Sequence, residues 1–392
     1  MAGLYELTGN TKHAIPMAGI YIHFPFCKQA CHYCNFHFST SFQFTQAYLE
    51  ALHKEVSLRK GYLTEEVETI YIGGGTPSLM SVDALGNLLE DIANAYNVGT
   101  NIEVTLEANP DDLSSFQNEY LQGLRSTTVN RLSIGVQSFF DQDLRFMNRA
   151  HSSKEAVAAI NKSREAGFDN ITVDLIYGTP TLSDQGWMQN LQRLVDMEIN
   201  HISAYALTVE KGTALEKFIR QGKVQPVDDH KSAYQFEMMV ETLESSGFEH
   251  YEISNFAKEG FRSRHNTNYW KGIPYLGLGP SAHSFNGTER QWNVAHTPKY
   301  IKGLENDKLD CEIETLSVKD RFNEYVMTSL RTSWGVDIKY VNSQFGQEFV
   351  SHFESVAAEH LEETMVKKGE KYTLTGKGKL YADRIASNLF LV

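Results

Sequence analysis

Residues 19–38, GIYIHFPFCKQACHYCNFHF, run from a short β-type segment directly into three cysteines, Cys27, Cys31 and Cys34, spaced C-x3-C-x2-C. The 392-residue chain has only four cysteines, so three of them share one short stretch. Soft thiolate donors grouped this closely suit a metal centre, either zinc or an iron–sulfur cluster. Both readings are open at this point. Structural zinc takes a closed set of four Cys or His ligands, and His32 or His37 would complete one. A 4Fe-4S cluster held by three cysteines instead leaves one iron free for a small-molecule ligand. The remaining thiol, Cys311, stands alone on a charged stretch. Three clustered thiols and one remote one make no disulfide framework, which points to a reducing, cytoplasmic setting.

Outward from this stretch, β-rich segments alternate with amphipathic ones as far as residue 210. GIYIHF, TIYIGGG, NIEVTLEANP, RLSIGVQSF, NITVDLIYGTP and HISAYALTV read as strands, rich in Ile, Val, Thr and aromatics and closed by Gly, Pro or Asn. FTQAYLEALHKEVSL, SVDALGNLLEDIANAY, LSSFQNEYLQGL, SKEAVAAINKSREAG and SDQGWMQNLQRLVDM read as helices, several opening at a Ser or Asp able to cap the first turn. Such β-α units build a parallel sheet with right-handed crossovers, either doubly wound or wound as a complete or partial (β/α) barrel. Strand alternation helps to choose. One face carries Tyr21 and His23, Glu103, Thr105 and Glu107, Ser133 and Gln137, Thr172 and Asp174, while the other carries Ile20, Ile22, Val104, Leu106, Ile134 and Val173. A polar face drawn from several strands reads as the lining of a ligand cavity, with the site at the C-terminal strand ends.

The cysteine spacing, with the aromatic Tyr33 before the last cysteine, resembles the signature of the radical S-adenosylmethionine (SAM) family. That resemblance implies a partial (β/α)6 barrel and a 4Fe-4S cluster on Cys27, Cys31 and Cys34, its open iron closed by the amino and carboxylate groups of SAM. IGGGTPS, after the second strand, stands where the family places the glycine motif that holds the SAM amino group. Gly73, Gly74, Gly75 and Thr76 there are suited to offering main-chain amides and carbonyls. Tyr21, Tyr33, Glu107, Gln137, Arg149 and Asp174 match SAM-contacting positions in the branch of oxygen-independent coproporphyrinogen III oxidases.

Further along, HNTNYW sets His265 and Asn266 beside Tyr269 and Trp270. An imidazole amid flat aromatics suits haem, the nitrogen ligating iron and the rings stacking on the macrocycle. HNxxYW is similar to the segment that marks the haem-binding radical SAM chaperones. The oxidases resemble C-x3-C-x2-C-x-C, and the place of their additional cysteine is taken here by Phe36. The resemblance therefore implies a haem chaperone with a SAM-ligated cluster, a haem-acceptor protein and an electron donor as partners. The alternative is an oxygen-independent coproporphyrinogen III oxidase, whose activity is not expected without that cysteine. Because the cluster, SAM and haem segments are separate in the chain, SAM and haem are expected to bind independently.

Composition agrees. With 41% hydrophobic and 11% aromatic residues the chain is able to bury sizeable cores, and its length favours two domains. A net charge of −13 argues against nucleic acid as a partner, since counterion release needs many cations on one face. MAGLYELTGNTKHAIPMAG lacks a secretory signal, and no apolar run reaches membrane-spanning length, which leaves only peripheral membrane contact open. The domain reading is an N-terminal segment (1–18), the α/β barrel (19–210), an extension with HNTNYW (211–295), a charged linker (296–316) and a smaller, mainly helical C-terminal domain (317–392). Helices with a hairpin over KKGEKYTLT make the last part winged-helix-like.

Overall fold

The computed structural model describes residues 17–115 and 119–392. The readings over residues 1–16, and over 116–118 within LSSFQNEYLQGL, lie outside the described residues.

Six strands follow one another: β1 (Met17–Phe24), β2 (Glu66–Gly74), β3 (Val98–Ala108), β4 (Arg131–Gln137), β5 (Ile171–Tyr177) and β6 (His201–Ala206). Each pairs in parallel with the next. Every crossover therefore steps the same way, and right-handed crossovers that step the same way drop their helices on one face. The free face curls around a lumen. This is barrel winding, not the reversal of a doubly wound sheet.

Alternation fixes which side chains go where. Ile20, Ile22, Ile72, Val104, Leu106, Leu132, Ile134, Val173 and Leu175 pack outward beneath the helices and are fully buried. Burying an aliphatic side chain of this size contributes about 1.5–3 kcal/mol, so a one-residue slip of any strand would forfeit several such terms together. The helices Val82–Ala95, Ser153–Glu165 and Asp184–Asp196 start at Ser81, Ser152 and Ser183, whose hydroxyls accept first-turn amide hydrogens.

The barrel stays open. The sheet continues past β6 through β8 (Asn255–Ala257) to β7 (Glu249–Glu252). Past β1 it continues through β9 (Tyr275–Leu278), β10 (His283–Phe285) and β11 (Glu289–Asn293) to β12 (Cys311–Thr315). The stretch read as a linker, 296–316, is thus folded into the body of the protein. Its helix Thr297–Glu305 places the Tyr300 hydroxyl 2.6 Å from Glu55 Oε2 on helix Thr45–Leu58, and β12 forms a sheet edge. Charge hid this, because CEIET is an edge strand whose side chains mostly face water.

Residues beyond 316 gather a separate hydrophobic core around Phe322, Val326, Val341, Phe353 and Leu389. Its helices surround a small sheet of β13 (Val336–Asp337), β14 (Met365–Lys368) and β15 (Lys371–Leu374), with the hairpin where KKGEKYTLT predicts it. Among the described residues, no helix is long and apolar enough to cross a membrane.

Candidate functional site

The inward-facing side chains of β2 to β6 surround a cavity of about 530 Å3, lined by Tyr71, Thr105, Glu107, Ser133, Asp174 and Tyr205 among others. At the C-terminal strand ends, the loop after β1 adds Cys27, Cys31, Tyr33 and Cys34, and the loop after β2 adds Gly75 and Thr76. Nearly every SAM-site residue named from the sequence therefore meets in one cavity: Tyr33, Gly74, Gly75, Thr76, Glu107, Gln137, Arg149 and Asp174. Tyr21 does not line it. Its hydroxyl donates to His23 Nδ1 at 3.1 Å, while His23 Nε2 donates to His37 O at 2.8 Å.

The three thiols share this cavity with a buried guanidinium. Arg149 donates from Nη1 to Cys31 Sγ at 3.3 Å and from Nη2 to Asn109 Oδ1 and Gly135 O at 2.6 and 2.8 Å. Burial pushes the Cys27 thiol up to about 11, with the neighbouring thiols Cys31 and Cys34 adding to it. A cationic iron centre opposes that shift and favours the thiolate. No three His, Cys, Asp or Glu side chains among the described residues converge at metal-ligand spacing. The fit rests instead on the donor set, three thiols in one small cavity with a cation beside them. Neither His32 nor His37 lines the cavity. His32 Nδ1 donates to Phe146 O at 2.9 Å, and His37 Nε2 lies 2.9 Å from Thr297 Oγ1. The closed zinc set considered from the sequence has no fourth ligand in them.

The glycine loop is shaped by close packing. Gly74 has φ +105°, and a Cβ there would stand 2.5 Å from His23 Nδ1. At Gly75 a Cβ would meet the carbonyl oxygens of Phe26 and Phe24 at 2.6 and 2.8 Å. The amides expected to face a ligand are used inside the protein: Gly74 N–H donates to Glu107 Oε2, Gly75 N–H to Phe24 O and Thr76 N–H to Phe26 O. Amides spent in this way are not available to a ligand. Gln137 ends β4 at φ +65°, a conformation that costs a non-glycine residue about 1–3 kcal/mol and tends to persist at functional sites.

Two carboxylates stand on the lumen floor. Glu107 accepts from the Tyr71 hydroxyl at 2.8 Å, and burial raises its pKa. Asp174 accepts from Ser133 Oγ at 3.2 Å and is pushed up to about 7 by burial, then by the charge of Glu107. A carboxyl displaced upward keeps its proton in the folded chain where the unfolded chain has lost it. The associated stability is complete below about pH 4 and is lost as pH rises toward 7. Asp174→Asn, measured without added ligand, will therefore gain a few degrees in melting temperature over the parent at about pH 8, and much less at about pH 5. An equal difference at both values would show that Asp174 titrates normally.

The helix Arg264–Trp270 carries HNTNYW and plugs the lumen from the other end. Glu103 of β3 accepts from its first amides, Arg264 N–H at 3.1 Å and His265 N–H at 3.0 Å. His265 is 2% exposed, with Nδ1 2.8 Å from Thr69 Oγ1. Its ring lies 5.1 Å from that of Tyr71 and 5.0 Å from that of Tyr269. Burial pushes this imidazole down to about 3, so it is neutral. His265 Nε2, Thr267 Oγ1, Asn268 Nδ2 and Trp270 Nε1 are all buried without hydrogen-bond partners. Each such atom costs about 1–3 kcal/mol, and four on two turns of helix mark a place where the fold gives up stability.

Beyond this helix lies a second cavity of about 700 Å3, between the extended sheet and the C-terminal core. Asn266, Tyr269 and Trp270 line it, and His265 does not. Tyr205 and Asn266 line both cavities, so the two sites read as separate from the sequence share a wall.

A model of the radical SAM superfamily matches residues 21–194. A relative from Mycobacterium tuberculosis, named as the heme chaperone HemW, is 34% identical over 98% of this chain and 97% of its own. The chain belongs to the HemW family. The Bacillus subtilis HemW is 32% identical over 94% of this chain and 98% of its own. In fold, this HemW-family chain resembles coproporphyrinogen III oxidase (HemN) from Escherichia coli, with a TM-score of 0.80 at 22% identity over 96% of this chain and 90% of that one.

Sequence reasoning missed several residues in and around the first cavity of this HemW-family chain. Asn109 bridges Arg149 and Thr76, its Nδ2 donating to Thr76 Oγ1 at 3.2 Å. Ser203 and Tyr205 also face the cavity, and alternation along HISAYA would have found them. The C-terminal residues of the second cavity carry no comparable local signal.

Proposed function

We propose that this chain is a haem chaperone, binding haem and passing it to an acceptor protein. The observation that carries this reading is the end-to-end similarity to relatives named for that function, including the part beyond the barrel. We assign the 4Fe-4S cluster to Cys27, Cys31 and Cys34 and SAM to the cavity beside them. When bound, the cluster and SAM supply one-electron chemistry, and an electron-donor protein is then a further partner. Arg149 is suited to the SAM carboxylate, the carbonyls of the glycine loop to its ammonium group, and Glu107 and Asp174 to hydrogen bonds from ammonium or ribose hydroxyls. Tyr21 acts at one remove, by orienting His23 against Gly74.

For haem, Asn266, Tyr269 and Trp270 supply wall, and His265 supplies the ligand. In the tautomer that donates Nδ1–H to Thr69 Oγ1, the unpartnered Nε2, the atom that ligates iron, carries a free lone pair. Nε2 is buried, so haem reaches it only where the packing around it opens. We place the protein in the cytoplasm on its thiol usage.

Phe36, 67% exposed on the rim of the first cavity, occupies the place of the oxidases' extra cysteine. Protein purified anaerobically, supplied with haem and assayed on coproporphyrinogen III will show haem absorption bands and no oxidative decarboxylation. Decarboxylation by protein that retains no haem would reverse the assignment.

A further inference from the structure

The wall of the second cavity holds one partly buried cation that no described residue neutralises. Four basic side chains reach its wall: Lys271, Arg290, Arg321 and Arg331. Arg290 pairs with Glu324 at 2.7 Å. Arg331 pairs with Asp383 and lies over the Trp270 ring, 5.6 Å from its centroid, while Lys271 lies 5.8 Å from the Trp334 ring. Arg321 is different. Among the described residues its guanidinium has no ion pair and no hydrogen-bond acceptor, and its Nε is buried. Withdrawing part of a guanidinium from water without an anion is costly, and this chain, at net −13, has carboxylates to spare. The unpaired charge is therefore better explained by an anion that arrives with a ligand.

The rest of the wall describes that ligand. Tyr269, Trp270 and Tyr275 face the cavity from the sheet side, and Tyr325, Tyr340 and Phe345 from the C-terminal core. Aromatic surfaces from opposite sides suit a flat hydrophobic body, and the unpartnered Trp270 indole N–H adds a donor at its edge. A volume of about 700 Å3 is in the range of small-molecule sites. A flat macrocycle with carboxylate arms meets all of these requirements.

We propose that the second cavity seats the haem macrocycle and that Arg321 binds a propionate, so that the C-terminal core supplies half of the haem site. This rests on the haem reading above and goes beyond it by adding a residue far in sequence from HNTNYW. The guanidinium fork matches a carboxylate in two parallel hydrogen bonds, which orients the macrocycle as well as holding it.

The test uses the full chain, titrated separately with haem and with haem dimethyl ester, the same macrocycle with both carboxylates esterified. The parent protein will bind haem about tenfold more tightly than the ester, the loss typical of one charge-assisted pair. Arg321→Gln will lose about tenfold on haem and nothing on the ester, so the discrimination disappears. Met327→Trp, which fills the cavity from the C-terminal side, will weaken both. Arg321→Lys keeps the charge without the fork and will discriminate less than the parent, which carries the test if the glutamine variant does not fold. Full discrimination in either Arg321 variant, or equal losses on haem and ester, overturns the proposal. A parent protein that binds neither macrocycle would instead sink the haem reading itself.

Discussion

Replacing Cys27, Cys31 or Cys34 singly with Ser will remove the broad charge-transfer absorption and most of the iron from anaerobically reconstituted protein, whereas Cys311→Ser will leave both in place. The three thiols line one cavity, and among the described residues no other Cys or His lines it. A cluster of about four irons held by three cysteines has no protein donor in reserve. Serine is a poor substitute, since its hydroxyl holds its proton far more tightly than a thiol and ligation requires the anion. Cys311 sits on β12 opposite Asn293, at one edge of the sheet, with no second thiol near it. Iron and sulfide analysis beside the absorption spectrum decides the matter. Stoichiometric zinc in the parent protein, or loss of the cluster in the Cys311 variant, would sink the assignment.

His265→Ala is expected to have the next largest effect, on haem alone. The substitution removes the one neutral imidazole whose Nε2 is unpartnered beside the second cavity, so the haem spectrum will shift or vanish while the cluster spectrum stays. Tyr269→Ala and Trp270→Ala will weaken haem retention through lost stacking and burial but keep the ligand signature. A separate cost falls on stability. Thr69 Oγ1 loses its partner and a side chain packed between Tyr71 and Tyr269 becomes a void, together worth about 2–4 kcal/mol. The two effects separate by experiment, because a purely structural histidine would lower the melting temperature and leave the haem spectrum of the surviving folded protein unchanged. That outcome would remove the imidazole from the haem site.

The parts of the fold that were legible are those where burial imposes a period. Ile20, Ile22 and Phe24 against Tyr21 and His23 reveal both the strand and its two faces, because one face meets helices and the other carries polar groups that bond to one another inside the sheet's curve. β12 escaped notice for the converse reason. Ile313 is 62% exposed on an edge strand flanked by glutamates, and an edge in water needs no apolar alternation. The first cavity was legible because its residues sit at strand ends and in short motifs. What the motifs hid was the bonding between them: the amides of the glycine loop are spent on Phe24, Phe26 and Glu107, which only the folded chain reveals. The second cavity was half legible. HNTNYW is a local string, whereas Arg321, Tyr325 and Thr328 lie on one face of helix Val318–Leu330 and read in sequence as ordinary solvent-facing positions.

Tyr205 and Asn266 belong to the walls of both cavities, and that has a thermodynamic consequence. Two ligands that press on the same side chains do not bind as strangers. If occupancy of the barrel lumen multiplies the affinity of the second cavity by some factor, occupancy of the second cavity must multiply that of the lumen by the same factor. Couplings of this kind typically amount to about 1–3 kcal/mol, enough to move an affinity five- to 150-fold. With SAM in the lumen and haem in the second cavity, as proposed, a shared carboxamide and a shared phenol would let the state of the cofactor set how tightly the cargo is gripped, and let the cargo, in turn, be felt at the cofactor.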